Sequence, residues 1–159
     1  LHKITNTDGS ILNNIQLKLK PYPCEIKVEP IRFKFNDSLI QPNEGKKLEP
    51  LINLLLANRD LRIRIESHTD SIGKNIDNLR LSQKRANATK DYLISKEVHE
   101  GQILSAVGLG ENCPLYTTSY IRSLSTREER LEAHNKNRRS IFILEDCEGY
   151  ASDCNNNNP

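Results

Sequence analysis

The amino-acid sequence predicts an α+β sandwich of βαβαβ-β order, in which two main helices pack on a mixed four-stranded sheet. Three observations favour this fold class. Short segments alternate apolar and polar residues as strands do, two longer segments carry apolar residues at helical spacing, and the two kinds of segment alternate along the chain. With 159 residues, 36% of them hydrophobic, the chain is long enough to bury the core of one domain.

The first 30 residues are predicted to be a lead-in or linker that carries one short strand. Ile15–Leu19 alternates as a strand does, but prolines at positions 21, 23 and 30 interrupt the segment that follows. Ile31–Phe35 alternates again, with its three apolar side chains on one face. This segment is predicted to be the first core strand, and the domain is expected to cover residues 31–145.

A helix is predicted after this strand, beginning near Pro42 and ending at about Asn58. Four apolar residues follow the i, i+3, i+4, i+7 spacing of one helical face: Leu48, Leu51, Ile52 and Leu55. Pro50 lies inside this pattern and has no backbone N–H to donate. Either the regular helix begins near Lys47 with Pro50 in its first turn, or the helix kinks at Pro50.

Two further strands and the longest helix follow in order. Leu61–Glu66 alternates apolar and charged residues and is predicted to be the second strand. Asn75–Lys96 contains neither Pro nor Gly, and apolar residues recur in it every seven residues, so it is predicted to be a long helix. Ile103–Val107 and Ser140–Leu144 are predicted to be the third and last strands.

A long insertion separates the last two strands, and it is too long for a structureless connection in a compact domain. Ser125–Glu128 fits a capping box ahead of Glu129–His134, which predicts a short helix inside residues 115–135. The charged run Arg127–Arg130 is interpreted as a solvated helix face, with a docking surface as the alternative. Residues 146–159 are predicted to be a largely disordered tail.

Four cysteines indicate disulfide bonds in an oxidising compartment: Cys24, Cys113, Cys147 and Cys154. None of them stands in the C-x-x-C spacing that is typical of zinc and redox motifs. Four cysteines allow three pairings. We expect the local pair Cys147–Cys154, which leaves Cys24 with Cys113.

Composition and motifs exclude several classes of protein. The formal net charge of +2, from 23 basic and 21 acidic residues, is too balanced for a general nucleic-acid binder. The longest apolar run, Leu54–Ala57, is far too short to span a membrane, so no span is predicted in this fragment. The chain has no Met and begins with Leu1, so it is expected to be part of a longer precursor. No motif of a metalloenzyme, hydrolase or nucleotide-binding enzyme is present, so neither an enzyme, a metal nor a cofactor is predicted.

Three polar residues on the second strand's loop and the long helix suggest a binding site. Asn78 and Arg85 are separated by about 700° of helical rotation, so their side chains leave the helix on nearly the same face. Asp70 precedes the helix, and its loop can fold the carboxylate over that face. A ligand with an ammonium for Asp70 and a carboxylate for Arg85 would fit. The alternative, which the spacing alone favours, is that Asp70 and Arg85 pair with each other.

Four motifs in order resemble the OmpA-like C-terminal domain. They are the loop Ser67–Gly73, the helical segment Asn78–Ala86, the turn Gly108–Gly110 and Asn137–Arg139 before the last strand. They match the family pattern of a G-H-T-D-x-x-G loop, N-x-x-L-S-x-x-R-A on the helix, a glycine-containing turn and N-R-R, except that Ser67 stands where the loop pattern has glycine. The resemblance covers about residues 31–144. It implies non-covalent binding of peptidoglycan through the diaminopimelate of the stem peptide.

The resemblance also implies roles for the residues of the loop and helix. Asp70 would hold the ammonium of diaminopimelate and Arg85 its carboxylate. Asn78 would form hydrogen bonds with the stem peptide. The loop from Thr69 to Ile72 would contribute backbone groups.

Two further regions belong to the implied site. The stretch after the first strand contains Asn36 and Asp37, and the residues alone do not decide which of them faces the ligand. Arg138 would lie near the pocket, although a structural ion pair is an equally good interpretation of this residue. His68 is expected to pack or form hydrogen bonds within the loop.

The implied partners and location are those of the cell envelope. The domain would lie in the periplasm, attached to the outer membrane through the rest of the precursor, and its partners would be peptidoglycan and outer-membrane or secretion-complex proteins. Domains of this family end outer-membrane lipoproteins of several envelope systems, including a type IX secretion component of Bacteroidetes. The alternative function is a protein–protein assembly module that uses the 115–135 insertion.

Overall fold

The computed structural model describes residues 25, 26, 28, 29, 31, 33 and 37–145. These residues contain four strands, β1 (Glu25–Ile26), β2 (Ile63–His68), β3 (Ile103–Gly110) and β4 (Ser140–Leu144). They also contain five α-helices, α1 (Pro42–Gly45), α2 (Glu49–Ala57), α3 (Asn75–Ser95), α4 (Thr118–Ser123) and α5 (Arg127–Asn137). Two 3-10 turns lie at Lys46–Leu48 and Glu100–Gln102. The predicted strand at Ile15–Leu19 and the predicted disordered tail lie outside the described residues.

The three longer strands form a mixed sheet with β2 in the centre. β2 pairs in parallel with β3 and antiparallel with β4. The parallel pair is connected through α3, as parallel strands require a long crossover. The α+β class and the mixed sheet are therefore confirmed.

The outer edge of β4 differs from the prediction. Glu25 and Ile26 form β1 and pair antiparallel with Ile143 and Phe142 of β4. Of the predicted first strand Ile31–Phe35, the structure describes Ile31 and Phe33, and neither lies in a strand. The strand prediction is therefore wrong at these two residues. The segment that pairs with the outer edge of β4 is β1, which lies earlier in the chain. Ile31 is nevertheless 6% exposed and belongs to the core.

The helical segment before β2 is divided by a 3-10 turn at Lys46–Leu48, just before Pro50. α1 ends at Gly45, a 3-10 turn follows, and α2 begins at Glu49 with Pro50 in its first turn. The first backbone N–H groups of a helix have no intrahelical acceptor, so proline costs little at this position. Of the two predicted arrangements, the structure has the one in which the regular helix begins just before Pro50.

The core is built from side chains of the sheet, α2, α3 and the first 3-10 turn. Its most deeply buried apolar residues are Leu48, Leu51, Leu55, Ile63, Ile65, Leu93, Phe142 and Ile143. Gln102 is also buried, and its amide nitrogen donates to the carbonyl oxygens of Leu55, Asn58 and Leu61 at 3.0–3.1 Å. This side chain satisfies carbonyls at the end of α2 and in the turn before β2, and so fixes that connection.

The insertion before β4 contains two helices, α4 and α5. The capping box of α5 lies one residue later than predicted, because Thr126 and Glu129 form the reciprocal hydrogen bonds. Thr126 Oγ1 accepts from the Glu129 N–H at 3.1 Å, and the Thr126 N–H donates to Glu129 at 2.9 Å. Ser125–Glu128 has the same sequence spacing, so the pattern alone does not select between the two registers.

Cys113 lies in the loop after β3 and is 5% exposed. The other three cysteines lie outside the described residues. The expected pairings Cys24–Cys113 and Cys147–Cys154 therefore remain predictions.

Candidate functional site

The candidate site lies where β2 ends and its backbone enters the loop before α3. The His68 N–H donates to the Arg139 carbonyl at 2.8 Å, and the Thr69 N–H donates to the Gly110 carbonyl at 2.9 Å. The end of β2 is therefore held to the residue before β4, and the first loop residue is still held to the end of β3. Asp70 follows immediately, so the sheet itself fixes the start of the loop.

Asp70 is only 6% exposed, and its carboxylate is held on both oxygens. Oδ1 accepts from the Ile72 N–H at 3.2 Å, and Oδ2 accepts from the Arg138 guanidinium. His134 Nδ1 lies 3.8 Å from the same Oδ2. Among the described residues, the ion pair of this carboxylate is therefore with Arg138, and no salt bridge joins Asp70 to Arg85.

Arg138 reaches Asp70 because of the pairing between β2 and β4. The register places Ser67 opposite Ser140, so the residues just before β4 lie beside the loop that follows β2. Arg138 also donates to the Asn135 side chain at the end of α5. The structural ion pair considered for Arg138 is thus present, and the same side chain lines the cleft described below.

Asn78 connects the loop to the end of β3. Its amide nitrogen donates to the Asp70 carbonyl at 3.2 Å and to Glu111 Oε2 at 2.6 Å, and the side chain is buried. These two bonds use both amide hydrogens, which leaves Oδ1 as the atom that would accept from a ligand. Glu111 was not identified from the sequence, because its position beside Asn78 depends on the approach of α3 to β3.

Arg85 lies on α3, seven residues after Asn78, and is partly buried. Its Nε donates to the Asp37 carbonyl at 3.2 Å, and its guanidinium lies 4.8 Å from the centre of the Phe33 ring. Burial lowers the pKa of Arg85, and the nearby Arg138 lowers it further, whereas Asp70 and Asp37 act in the opposite direction. Two neighbouring guanidiniums, one of them desolvated, favour an anionic group between them.

The remaining predicted site residues have different surroundings. Thr69 is buried, and Ile72 is 62% exposed, although the Ile72 N–H is already engaged by Asp70. The Asp37 carboxylate accepts from the N–H groups of Ser38 and Leu39 at 2.7 and 3.0 Å. Asp37 therefore organises its own turn and approaches Arg85 through its carbonyl. Asn36 lies outside the described residues.

A cleft of about 610 Å³ opens beside these residues. Arg85 and Arg138 line it, whereas Asp70, which pairs with Arg138, does not. Five basic residues and two acidic residues line the cleft. The basic ones are Lys47, Arg85, Lys136, Arg138 and Arg139, and the acidic ones are Glu29 and Glu132. The cleft is therefore suited to a ligand with a negative group.

Neither a metal centre nor a membrane-spanning helix was found in the part of the chain that the structure describes. It contains no grouping of three or more His, Cys, Asp and Glu side chains that would hold a metal ion. None of its helices combines the length and the apolar character needed to cross a bilayer.

Fold and site together define a class of protein: a small α+β domain with an arginine-lined cleft beside a buried carboxylate. The pattern of the OmpA family matches residues 32–141, and the chain belongs to this family. The resemblance of its motifs to the OmpA-like domain is thereby confirmed.

Two relatives illustrate the similarity in sequence. The chain is 34% identical over 119 residues to the peptidoglycan-associated lipoprotein of Buchnera aphidicola subsp. Baizongia pistaciae, covering 75% of this chain and 62% of that protein. It is 32% identical over 109 residues to outer membrane porin F of Pseudomonas aeruginosa, covering 67% of this chain and 31% of that protein. The chain therefore spans less than two thirds of either relative.

Solved structures share the fold. The peptidoglycan-associated lipoprotein of Burkholderia pseudomallei superposes with a TM-score of 0.60 at 27% identity, covering 75% of this chain and 91% of that one. The C-terminal domain of Helicobacter pylori MotB superposes with a TM-score of 0.58 at 18% identity, covering 84% of this chain and all of that one. At that identity the second similarity concerns the fold alone.

Proposed function

We propose that this domain binds peptidoglycan without covalent chemistry, through the diaminopimelate of the stem peptide. It thereby anchors an outer-membrane protein or a secretion complex to the cell wall from the periplasm. Membership of the OmpA family supports the proposal, as does a relative whose name describes association with peptidoglycan. The observation that carries it is the placement of one buried carboxylate, Asp70, beside two arginines that line a cleft.

The side-chain end of diaminopimelate carries an ammonium and a carboxylate on one carbon. Arg85 would hold this carboxylate, because its guanidinium lines the cleft and lies in a neighbourhood that favours an anion. Charge-assisted hydrogen bonds of this kind contribute about 1.5–3 kcal/mol each. Asn78 would accept a stem-peptide N–H through Oδ1, while its nitrogen keeps the Asp70 loop in place.

The ammonium would bind at Asp70, whose carboxylate accepts from the Arg138 guanidinium. The Asp70 side chain is 9% exposed, whereas that of Arg138 is 35% exposed and closer to solvent. The ammonium therefore reaches Asp70 only when Arg138 moves away from Oδ2. The displaced guanidinium then joins Arg85 at the ligand carboxylate, so the exchange keeps every charge paired.

Sedimentation with insoluble peptidoglycan sacculi tests this function. The domain is expected to pellet with sacculi that contain diaminopimelate. A soluble stem tripeptide ending in diaminopimelate is expected to release the domain, whereas free L-alanine, which lacks the second charged end, is not. Failure to pellet, or pelleting that the tripeptide does not reverse, would contradict the proposal.

A further inference from the structure

An aromatic rim lies beside the cleft, formed by Tyr116, Tyr120 and Lys136. The two tyrosine rings are stacked with their centres 5.4 Å apart and their planes 24° apart. The Lys136 ammonium lies 5.8 Å from the centre of the Tyr116 ring. Tyr120 is 49% exposed, so a large part of its surface is open to a ligand.

The rim is continuous with the proposed stem-peptide site on two sides. Lys136 is part of the cleft wall and also covers the Tyr116 ring. On the other side, Thr118 Oγ1 of α4 donates to Ser71 Oγ at 3.0 Å. Ser71 directly follows Asp70, so α4 is attached to the loop that carries the central carboxylate.

Hydrogen bonds within the domain hold the rim in place. The buried Asn137 side chain accepts from the Tyr116 N–H at 3.0 Å and donates to the Tyr116 carbonyl at 2.8 Å. Thr117 caps α4 by accepting from the Tyr120 N–H at 3.2 Å. A preorganised aromatic surface loses little conformational entropy when a rigid ring packs on it.

We propose that the aromatic rim binds a sugar ring of the peptidoglycan glycan strand. This inference rests on the proposed function. In peptidoglycan the stem peptide is joined to the sugar, and diaminopimelate is the third residue of that peptide. Three extended residues span about 10 Å, so a stem peptide held in the cleft keeps its sugar close to the cleft wall.

The chemistry of the rim fits a sugar. The C–H groups on one face of a pyranose ring pack on a tyrosine ring, and the tyrosine hydroxyls and Lys136 offer polar contacts to the hydroxyl and N-acetyl groups. A tyrosine side chain combines an apolar ring with a polar hydroxyl group. It is therefore suited to a sugar, which offers both C–H groups and hydroxyl groups.

Tyr120→Ser tests the proposal in two parallel measurements, with intact sacculi and with a sugar-free stem tripeptide. Binding to sacculi is expected to weaken about fivefold, in the range of an aromatic packing contact. Binding to the sugar-free tripeptide is expected to stay unchanged, which also shows that the variant is folded. Tyr120→Phe keeps the ring and is expected to bind sacculi nearly as the parent does.

Leu104→Ser serves as the matched control. Leu104 is 44% exposed, close to the value for Tyr120, but it lies near the start of β3, away from the cleft. It is expected to bind sacculi as the parent does. If Tyr120→Ser also binds sacculi like the parent, the glycan site is wrong, and a protein partner becomes the better use of this surface. Equal losses of binding to sacculi and to the tripeptide in Tyr120→Ser would also contradict the glycan site. A parent domain that does not bind the tripeptide would contradict the proposed function itself.

Discussion

Arg85→Gln is expected to weaken binding of a diaminopimelate-containing stem tripeptide by roughly 10- to 150-fold, as measured by calorimetric titration. The loss corresponds to one charge-assisted contact of about 1.5–3 kcal/mol. The substitution also removes one of the two guanidiniums that favour an anion in the cleft. Within the domain, the substitution removes a hydrogen bond to the Asp37 carbonyl and the packing of the guanidinium on Phe33. The fold is expected to survive this loss.

Arg59→Gln is the matched control for this variant. Arg59 carries the same charge and also donates to one backbone carbonyl, that of Glu97, at 3.3 Å. This contact lies beyond the C-terminal end of α3, whereas the candidate site extends from the loop before α3 to Arg85 in the middle of the helix. Arg59→Gln is expected to leave tripeptide binding within twofold of the parent. Equal affinities for Arg85→Gln and the parent would remove Arg85 from the site.

Gly108→Ala is expected to destabilise the domain by about 3 kcal/mol in urea denaturation, the upper range for forced overpacking. A Cβ at this position of β3 would lie 2.0 Å from the backbone nitrogen of Gln83 and 2.4 Å from the carbonyl carbon of Ser82. Because both atoms belong to the backbone of α3, the whole helix must move away from the sheet. Asn78 and Arg85 would move with it, so ligand binding is expected to fall as well.

Gly101→Ala provides the comparison for the glycine variant. Gly101 is exposed, and the nearest atoms to its added Cβ belong to the His99 side chain at 3.1–3.3 Å. This exposed side chain can turn aside, which removes its hydrogen bond from the Gly101 N–H, so a loss of less than about 1 kcal/mol is expected. A Gly108→Ala domain as stable as Gly101→Ala would show that α3 does not depend on this close approach to β3.

The elements with strong local patterns were predictable from the sequence. α3 begins at the predicted Asn75, in a long segment that no proline or glycine interrupts. The alternation of apolar residues identified β2, which lies two residues later than the predicted Leu61–Glu66, and β4 has the predicted bounds Ser140–Leu144. The start of α2 at Glu49 remained one of two alternatives, since a proline fits a first turn as well as a kink. The capping box was misplaced by one residue, because two overlapping segments share its pattern.

The charges of the site were identified, but their pairing was not. Asn78 and Arg85 were selected from their spacing around one helix, and Asp70 from its place in the loop before that helix; both are local properties. The contact of Asp70 with Arg138 depends on the β2–β4 register, and that of Asn78 with Glu111 depends on how α3 lies on β3. Such contacts join residues that are far apart in the chain, so no local pattern predicts them. Tyr116 and Tyr120 are only four residues apart, but their position beside the cleft depends on the hydrogen bonds between Tyr116 and Asn137 at the end of α5.

The central claim is that Asp70 and Arg85 together hold a ligand end with both charges. Two stem tripeptides test it directly, one ending in diaminopimelate and the other in lysine, because lysine keeps the ammonium and lacks only the side-chain carboxylate. In calorimetric titrations of the parent domain, the diaminopimelate tripeptide is expected to bind at least tenfold more tightly than the lysine tripeptide. Equal affinities for the two tripeptides would contradict the claim.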